Sequence, residues 1–178
     1  MSYERVTLMF SLPRSMTQWW AWFFGHGCTA LHDPLAHHSR PDGLKRDIDA
    51  IEGRVFVADT SAIFFHNQLI DALPGVQRLY NFRSPRDIMD SLYQQTGSDW
   101  QTLIADQSRR LVMHGWAPGA RRIHYVAQAE TAAQLVLDVC GEPFKGDVQE
   151  MLNTRIDVPL AQQYRDHYKT RSLMGYKE

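Results

Sequence analysis

Phe10-Ser-Leu-Pro-Arg-Ser-Met-Thr-Gln-Trp-Trp20 and Leu79-Tyr-Asn-Phe-Arg-Ser-Pro-Arg-Asp-Ile-Met-Asp-Ser91 decide how this chain is read. In each, an apolar strand runs into a polar loop that opens a helix. Open α/β proteins build anion sites at such junctions, because free backbone N–H groups and the positive helix end converge there. Two junctions, each with arginine and hydroxyl side chains, point to a ligand with two separated phosphate-like groups.

Around them the chain alternates strand and helix. Strands are expected at Arg5–Phe10, Thr29–Leu31, Arg54–Ala58, Arg78–Phe82 and Arg122–Val126, and helices at Thr17–Phe24, Ile63–Leu73, Pro85–Gln95, Asp99–His114 and Glu130–Cys140. The helical stripe from Asp99 is interrupted at Gln107. His37–Gly43 is polar and contains Pro41, and reads as a mobile loop. The tail from Pro159 is expected to be helical. This alternation predicts an α/β fold, a three-layer α/β/α arrangement around a central parallel sheet. The expected organisation is a single domain over 1–178, with a core at 5–145 and a helical tail at 146–178.

With 178 residues the chain is long enough for one full core, and a net charge of −1 argues against a general nucleic-acid binder. Cys28 and Cys140 are far apart in sequence and read as buried thiols of a reducing compartment, not as a disulfide framework. No apolar run approaches spanning length and no signal-peptide layout opens the chain. The expectation is a soluble, cytoplasmic protein without a membrane partner.

At the second junction Ser84 suits a helix cap, Pro85 the first turn, and Asp87 completes a capping box. Ser84 and Ser91 lie about two helical turns apart and share a face. Arg83 and Ser91 together suit a phosphate, one through a bidentate guanidinium and the other through a hydroxyl. At the first junction Arg14, Ser15 and Thr17 stand at the helix entry. The Gly-x4-Gly-Lys-Ser/Thr pattern of nucleotide triphosphatases is absent there.

Pro13-Arg-Ser-Met-Thr-Gln-Trp19 resembles the Pro-Lys/Arg-Ser-Gly-Thr-Thr-Trp loop of PAPS-dependent sulfotransferases, and Arg83-Ser-Pro-Arg-Asp-Ile-Met-Asp-Ser91 resembles that family's 3′-phosphate motif. The strand at Arg122, the helix after it and Gly141-Glu-Pro-Phe144 are similar to the end of the family core. The resemblance implies a P-loop-NTPase-like fold and sulfuryl transfer from PAPS to a hydroxyl or amine. It implies that Arg14 neutralises charge on the bridging oxygen, and that Ser15, Met16, Thr17 and Gln18 form the loop around the 5′-phosphate. By the same matching, Trp19 packs against adenine while Arg83 and Ser91 hold the 3′-phosphate. Met16 replaces the family's glycine and Gln18 its second threonine. The family's C-terminal Arg-x-Gly element has no match at its spacing; Arg171, Gly175 and Arg155 are the nearest candidates.

Transfer to an acceptor needs a base within reach of its proton. Relatives use a carboxylate after the second strand, where this chain has His32-Asp33-Pro34, or a histidine after the third, where it has Asp59-Thr60-Ser61. Asp33 is the first candidate and His32 the second, with His66 a weaker third. Asp before Pro also commonly starts a turn. His32, Asp33, His37 and His38 lack the spacing of a metal site, and no metal is expected. The aromatic run Trp19, Trp20, Trp22, Phe23 and Phe24 reads mainly as core. The acceptor is a small molecule or a macromolecule, and dimerisation is a possible way to complete the site. The competing readings are a non-catalytic PAP/PAPS-binding module of the same fold and a P-loop-like nucleotide kinase.

Overall fold

Five short strands, β1 Val6–Ser11, β2 Thr29–His32, β3 Val55–Asp59, β4 Gln77–Phe82 and β5 Arg121–His124, form one parallel sheet in the order β2-β3-β1-β4-β5. The computed structural model describes residues 2–38, 40–96, 99–124 and 129–154. The expected end of the last strand at Val126, the helical tail from Pro159, and Arg155, Arg171 and Gly175 lie outside the described residues.

β1 is buried over its full length, as a strand covered on both faces must be. Its side chains alternate between two cores. Val6, Leu8 and Phe10 join a cluster with Leu44 and Ile48 of α2 (Pro41–Asp49), Leu69 of α3 (His66–Ala72), Ile88 and Leu92 of α4 (Pro85–Thr96), and Ile104 and Leu111 of α5 (Gln101–Gly115). Met9 faces the other cluster, with α1 (Thr17–Phe24), α6 (Ala129–Cys140) and residues of α7 (Val148–Asn153) packed against it. The result is a three-layer α/β/α fold. The aromatic run of α1 is mostly core: Trp20, Phe23 and Phe24 are buried, and Phe24 lies 4.4 Å from the Phe56 ring. Each buried phenylalanine contributes roughly 2–3 kcal/mol of transfer free energy.

Two local expectations change. Pro41 does not break structure but opens α2, where its missing N–H costs nothing and its fixed φ suits a first turn. Leu44 and Ile48, one helical turn apart, anchor α2 to the core; of the expected 37–43 loop, His37 ends a 3₁₀ turn, Pro34–His37, and 41–43 belong to α2. The expected helix at Ile63–Leu73 is divided between a 3₁₀ turn, Ala62–Phe65, and α3. Among the described residues no helix is long and apolar enough to cross a membrane.

Candidate functional site

The strand order reverses at β1, which lies between β3 and β4, and open α/β sheets place ligands beyond the carboxyl ends of strands at such a point. Ser11 of β1 pairs in register with Asn81 of β4, so the two polar loops leave the sheet side by side. Asn81 is 2% exposed, and its amide donates to Ser11 Oγ at 3.1 Å and to the Ser15 carbonyl at 2.6 Å. A polar residue inside a buried strand thus fixes the loop's course. Its position two residues before Arg83 was the available signal in the sequence.

The first loop turns sharply. Arg14 and Met16 both take left-handed conformations, with φ of 59° and 62°. Met16 caps α1 through its backbone only, and no side chain caps that helix. Ser15 Oγ is buried and has no hydrogen-bond partner. Thr17 Oγ1 lies 3.1 Å from His32 Nε2. Arg14 Nε donates to Ser91 Oγ at 3.1 Å, and Arg83 donates to the Arg14 carbonyl. Arg14, Ser15, Met16, Thr17, Arg83 and Ser91 are therefore gathered at one end of the sheet. Ser84 Oγ accepts from the Asp87 N–H at 3.4 Å, the expected capping geometry of α4.

Gln18 is half-buried beside them. Trp19 is placed differently: it is 8% exposed, stacks on Phe23 at 4.9 Å, and donates through Nε1 to the Thr154 carbonyl at 3.1 Å.

His32 and Asp33 stand at the end of β2, linked to the loop through Thr17. Asp33 has a φ of 46°, a conformation that Asp tolerates better than most residues. Its Oδ2 lies 3.4 Å from His32 Nε2, and its Oδ1 accepts from the Thr60 N–H at 2.9 Å. Both side chains remain partly open to solvent. His66 is committed elsewhere, with Nε2 2.7 Å from Tyr80 Oη and Nδ1 2.9 Å from Asn67 Oδ1.

Asp59, the first residue of the Asp59-Thr60-Ser61 segment after the expected third strand, had no role assigned from the sequence. Its carboxylate is 1% exposed and accepts from the backbone N–H groups of Leu35, Ser61 and Ala62 at 2.7–2.9 Å. It ties the segment after β2 to the segment after β3, and so positions Asp33 and Thr60. Burial, reinforced by the charge of Asp33, pushes its pKa up to about 6. Gln107 interrupts the apolar stripe of α5 because its amide reaches the Thr60 carbonyl at 3.3 Å. Among the described residues no three His, Cys, Asp or Glu side chains are placed to share a metal ion.

Left-handed loop, helix entry and converging arginines on a doubly covered parallel sheet define a P-loop-like α/β architecture. No protein-family model and no curated protein matches the sequence. Among solved structures, mouse sulfotransferase SULT7A1 complexed with PAP matches with a TM-score of 0.53 at 13% identity, over 93% of this chain. The chain covers 64% of that protein, just under two thirds of its length. A gluconokinase from Sinorhizobium meliloti 1021 matches with a TM-score of 0.46 at 12% identity, over 94% of this chain and 99% of the kinase. A sulfotransferase from Alicyclobacillus acidocaldarius gives 0.42 at 14%, over 96% of this chain and 87% of its own. The chain has a sulfotransferase-like fold.

Proposed function

We propose that the protein is a sulfotransferase that takes a sulfuryl group from PAPS and delivers it to a hydroxyl or amine acceptor. The observation that carries this reading is the convergence of Arg14 with Arg83 and Ser91, from loops at the ends of adjacent strands. A nucleotide with a 5′ and a 3′ phosphate needs two anion subsites at such a junction. The buried, unpartnered Ser15 Oγ fits the same ligand, since an orphaned hydroxyl costs about 1–3 kcal/mol until a partner is supplied.

PAPS, when bound, supplies the sulfuryl group and a leaving phosphate. Arg83 and Ser91 hold the 3′-phosphate, and the entry of α1 with Ser15 and Thr17 holds the 5′ end. Arg14 neutralises charge on the oxygen that bridged sulfur and phosphorus as that bond breaks. Asp33, oriented by Thr60 and adjacent to His32, accepts the proton of the acceptor as its oxygen or nitrogen bonds to sulfur. His32, between Asp33 and Thr17, is the second candidate for that step. The acceptor reaches the site beyond the ends of β2 and β3, as a small molecule or as part of a macromolecule. The half-buried and buried free thiols suit a reducing, cytoplasmic setting.

Calorimetry with adenosine 3′,5′-bisphosphate and with AMP tests the reading. The bisphosphate binds at least tenfold more tightly, and Arg83→Ala removes most of the difference, since a charge-assisted bond contributes about 1.5–3 kcal/mol. Equal affinities for the two nucleotides would sink it. Met16 and Gln18, which depart from the family loop, favour a second reading: a module that binds PAP or PAPS without turnover. Preference for the bisphosphate, with no sulfuryl transfer to any member of an acceptor library, selects it.

A further inference from the structure

The chain has two cysteines, and the fold brings them together. Cys28 immediately precedes β2 and Cys140 ends α6. Both thiols point at one acceptor, the Phe24 carbonyl, from 3.4 Å and 3.8 Å. Gly27 is the spacer that permits this approach: a Cβ there would stand 2.9 Å from Cys140 Sγ. Both residues line an open cleft of about 590 Å³, with Arg54, Glu52 and Glu142 on its walls. The cleft lies at the amino ends of β2 and β3, the opposite end of the sheet from Arg14 and Ser91. Small solutes can therefore reach the thiol pair.

The pair is asymmetric. The interaction between the two thiols, together with burial, pushes Cys28 well above its ordinary pKa, while the same interaction and the nearby Arg54 guanidinium hold the Cys140 thiol below its own. A guanidinium beside the thiol and access from an open cleft are features of reactive cysteines that inert buried ones lack.

We propose that Cys28 and Cys140 are a reversible oxidation site, with Cys140 as the attacking thiolate, Cys28 as the resolving thiol and a small hydroperoxide as the oxidant. Cys140 sulfur attacks the terminal peroxide oxygen. The O–O bond breaks and, for hydrogen peroxide, one water leaves with the Cys140 proton, giving a sulfenic acid. Cys28 sulfur then attacks Cys140 sulfur; the S–O bond breaks, the S–S bond forms, and the Cys28 proton leaves in a second water. Two thiols lose two electrons in total, and one peroxide is reduced to two waters. A dithiol reductant reverses the change. The product joins the turn after α1 to the end of α6 within one chain.

Treating the full chain with a modest excess of hydrogen peroxide tests this. The intact monomer should lose two hydrogen masses, a non-reducing peptide map should contain one Cys28–Cys140 linked peptide, and dithiothreitol should restore both free thiols. In Cys28→Ser, dimedone should trap a sulfenic acid at Cys140, whereas Cys28 in Cys140→Ser should stay unlabelled. Two thiols that remain fully alkylatable after peroxide would overturn the proposal. So would separate oxidation of each without a link, or a link that joins two chains. The wild-type map decides even where a variant fails to fold.

Discussion

Arg14 Nε donates to Ser91 Oγ at 3.1 Å, joining residues 77 positions apart. With the bond from Arg83 to the Arg14 carbonyl, it means that the groups proposed to grip opposite ends of a nucleotide grip each other. These bonds are exposed, so each contributes about 1 kcal/mol or less. Charge-assisted bonds to phosphate are roughly twice as strong and replace them at a net gain.

Ser91→Ala therefore removes a weak latch and a stronger ligand contact together. The expected result is a loss of about tenfold in affinity for adenosine 3′,5′-bisphosphate, about one hydrogen bond's worth. AMP affinity should change little. A parallel loss for both nucleotides in calorimetry would show that Ser91 serves the loop and not the 3′-phosphate.

Met16 holds a φ of 62° where glycine would carry no Cβ penalty. A side chain in that region costs about 1–2 kcal/mol, offset in part because Met16 packs against the α1 and α6 core. Met16→Gly should leave folding stability within about 1 kcal/mol of wild type, the two effects opposing each other. Met16→Val, β-branched and stiff, should cost about 2 kcal/mol and distort the loop. Urea denaturation compares them, and a Val variant as stable as wild type would mean that the turn is not enforced.

Asp59 gives a pH signature of unusual sign. Its folded pKa, about 6, is raised above the ordinary 3.8, so the native state binds the proton more tightly than the unfolded chain. The associated stabilisation is complete below about pH 4 and is lost as pH rises through 6. The shift corresponds to roughly 3 kcal/mol as an upper figure. Wild type's lead over Asp59→Asn should shrink across that window and then level off. A lead that stays constant from pH 4 to 7 would rule out a raised pKa at this carboxyl.

How much of this was legible depends on the range of each interaction. The sheet and its helices could be read because buried strands are short apolar runs and turns use Pro and Gly. The Arg83–Ser91 junction could be read because Ser84, Pro85 and Asp87 are neighbours in sequence. Asn81 and Asp59 could not be assigned roles, since their partners lie up to 70 and 24 positions away. Pro41 is ambiguous in principle: the same ring ends one helix and begins another. Cys28 and Cys140, remote in sequence, meet only because α1 and α6 pack on one face of the sheet.

His66 and His114 provide a second pH signature, opposite in sign. Their rings stack at 3.7 Å and 13°, and His66 also bonds Tyr80 within the core. Burial lowers the pKa of both; Arg78 adds to this at His66, and His66 and Arg110 add to it at His114, while the Asn67 hydrogen bond opposes it at His66. Both folded values lie below the ordinary 6.5, so the unfolded chain takes up protons first as pH falls. The stabilisation is present above about pH 6.5 and is lost on acidification. Two charged rings in contact would repel, so the second proton is the costlier one. His114→Phe keeps a stacking ring and removes one titrating group. Its denaturation midpoint should fall less between pH 7 and 5 than that of wild type, and ¹H–¹⁵N spectra should show His66 neutral below pH 6.5. Equal pH slopes for the two proteins, with both imidazoles titrating at ordinary values, would refute the coupling.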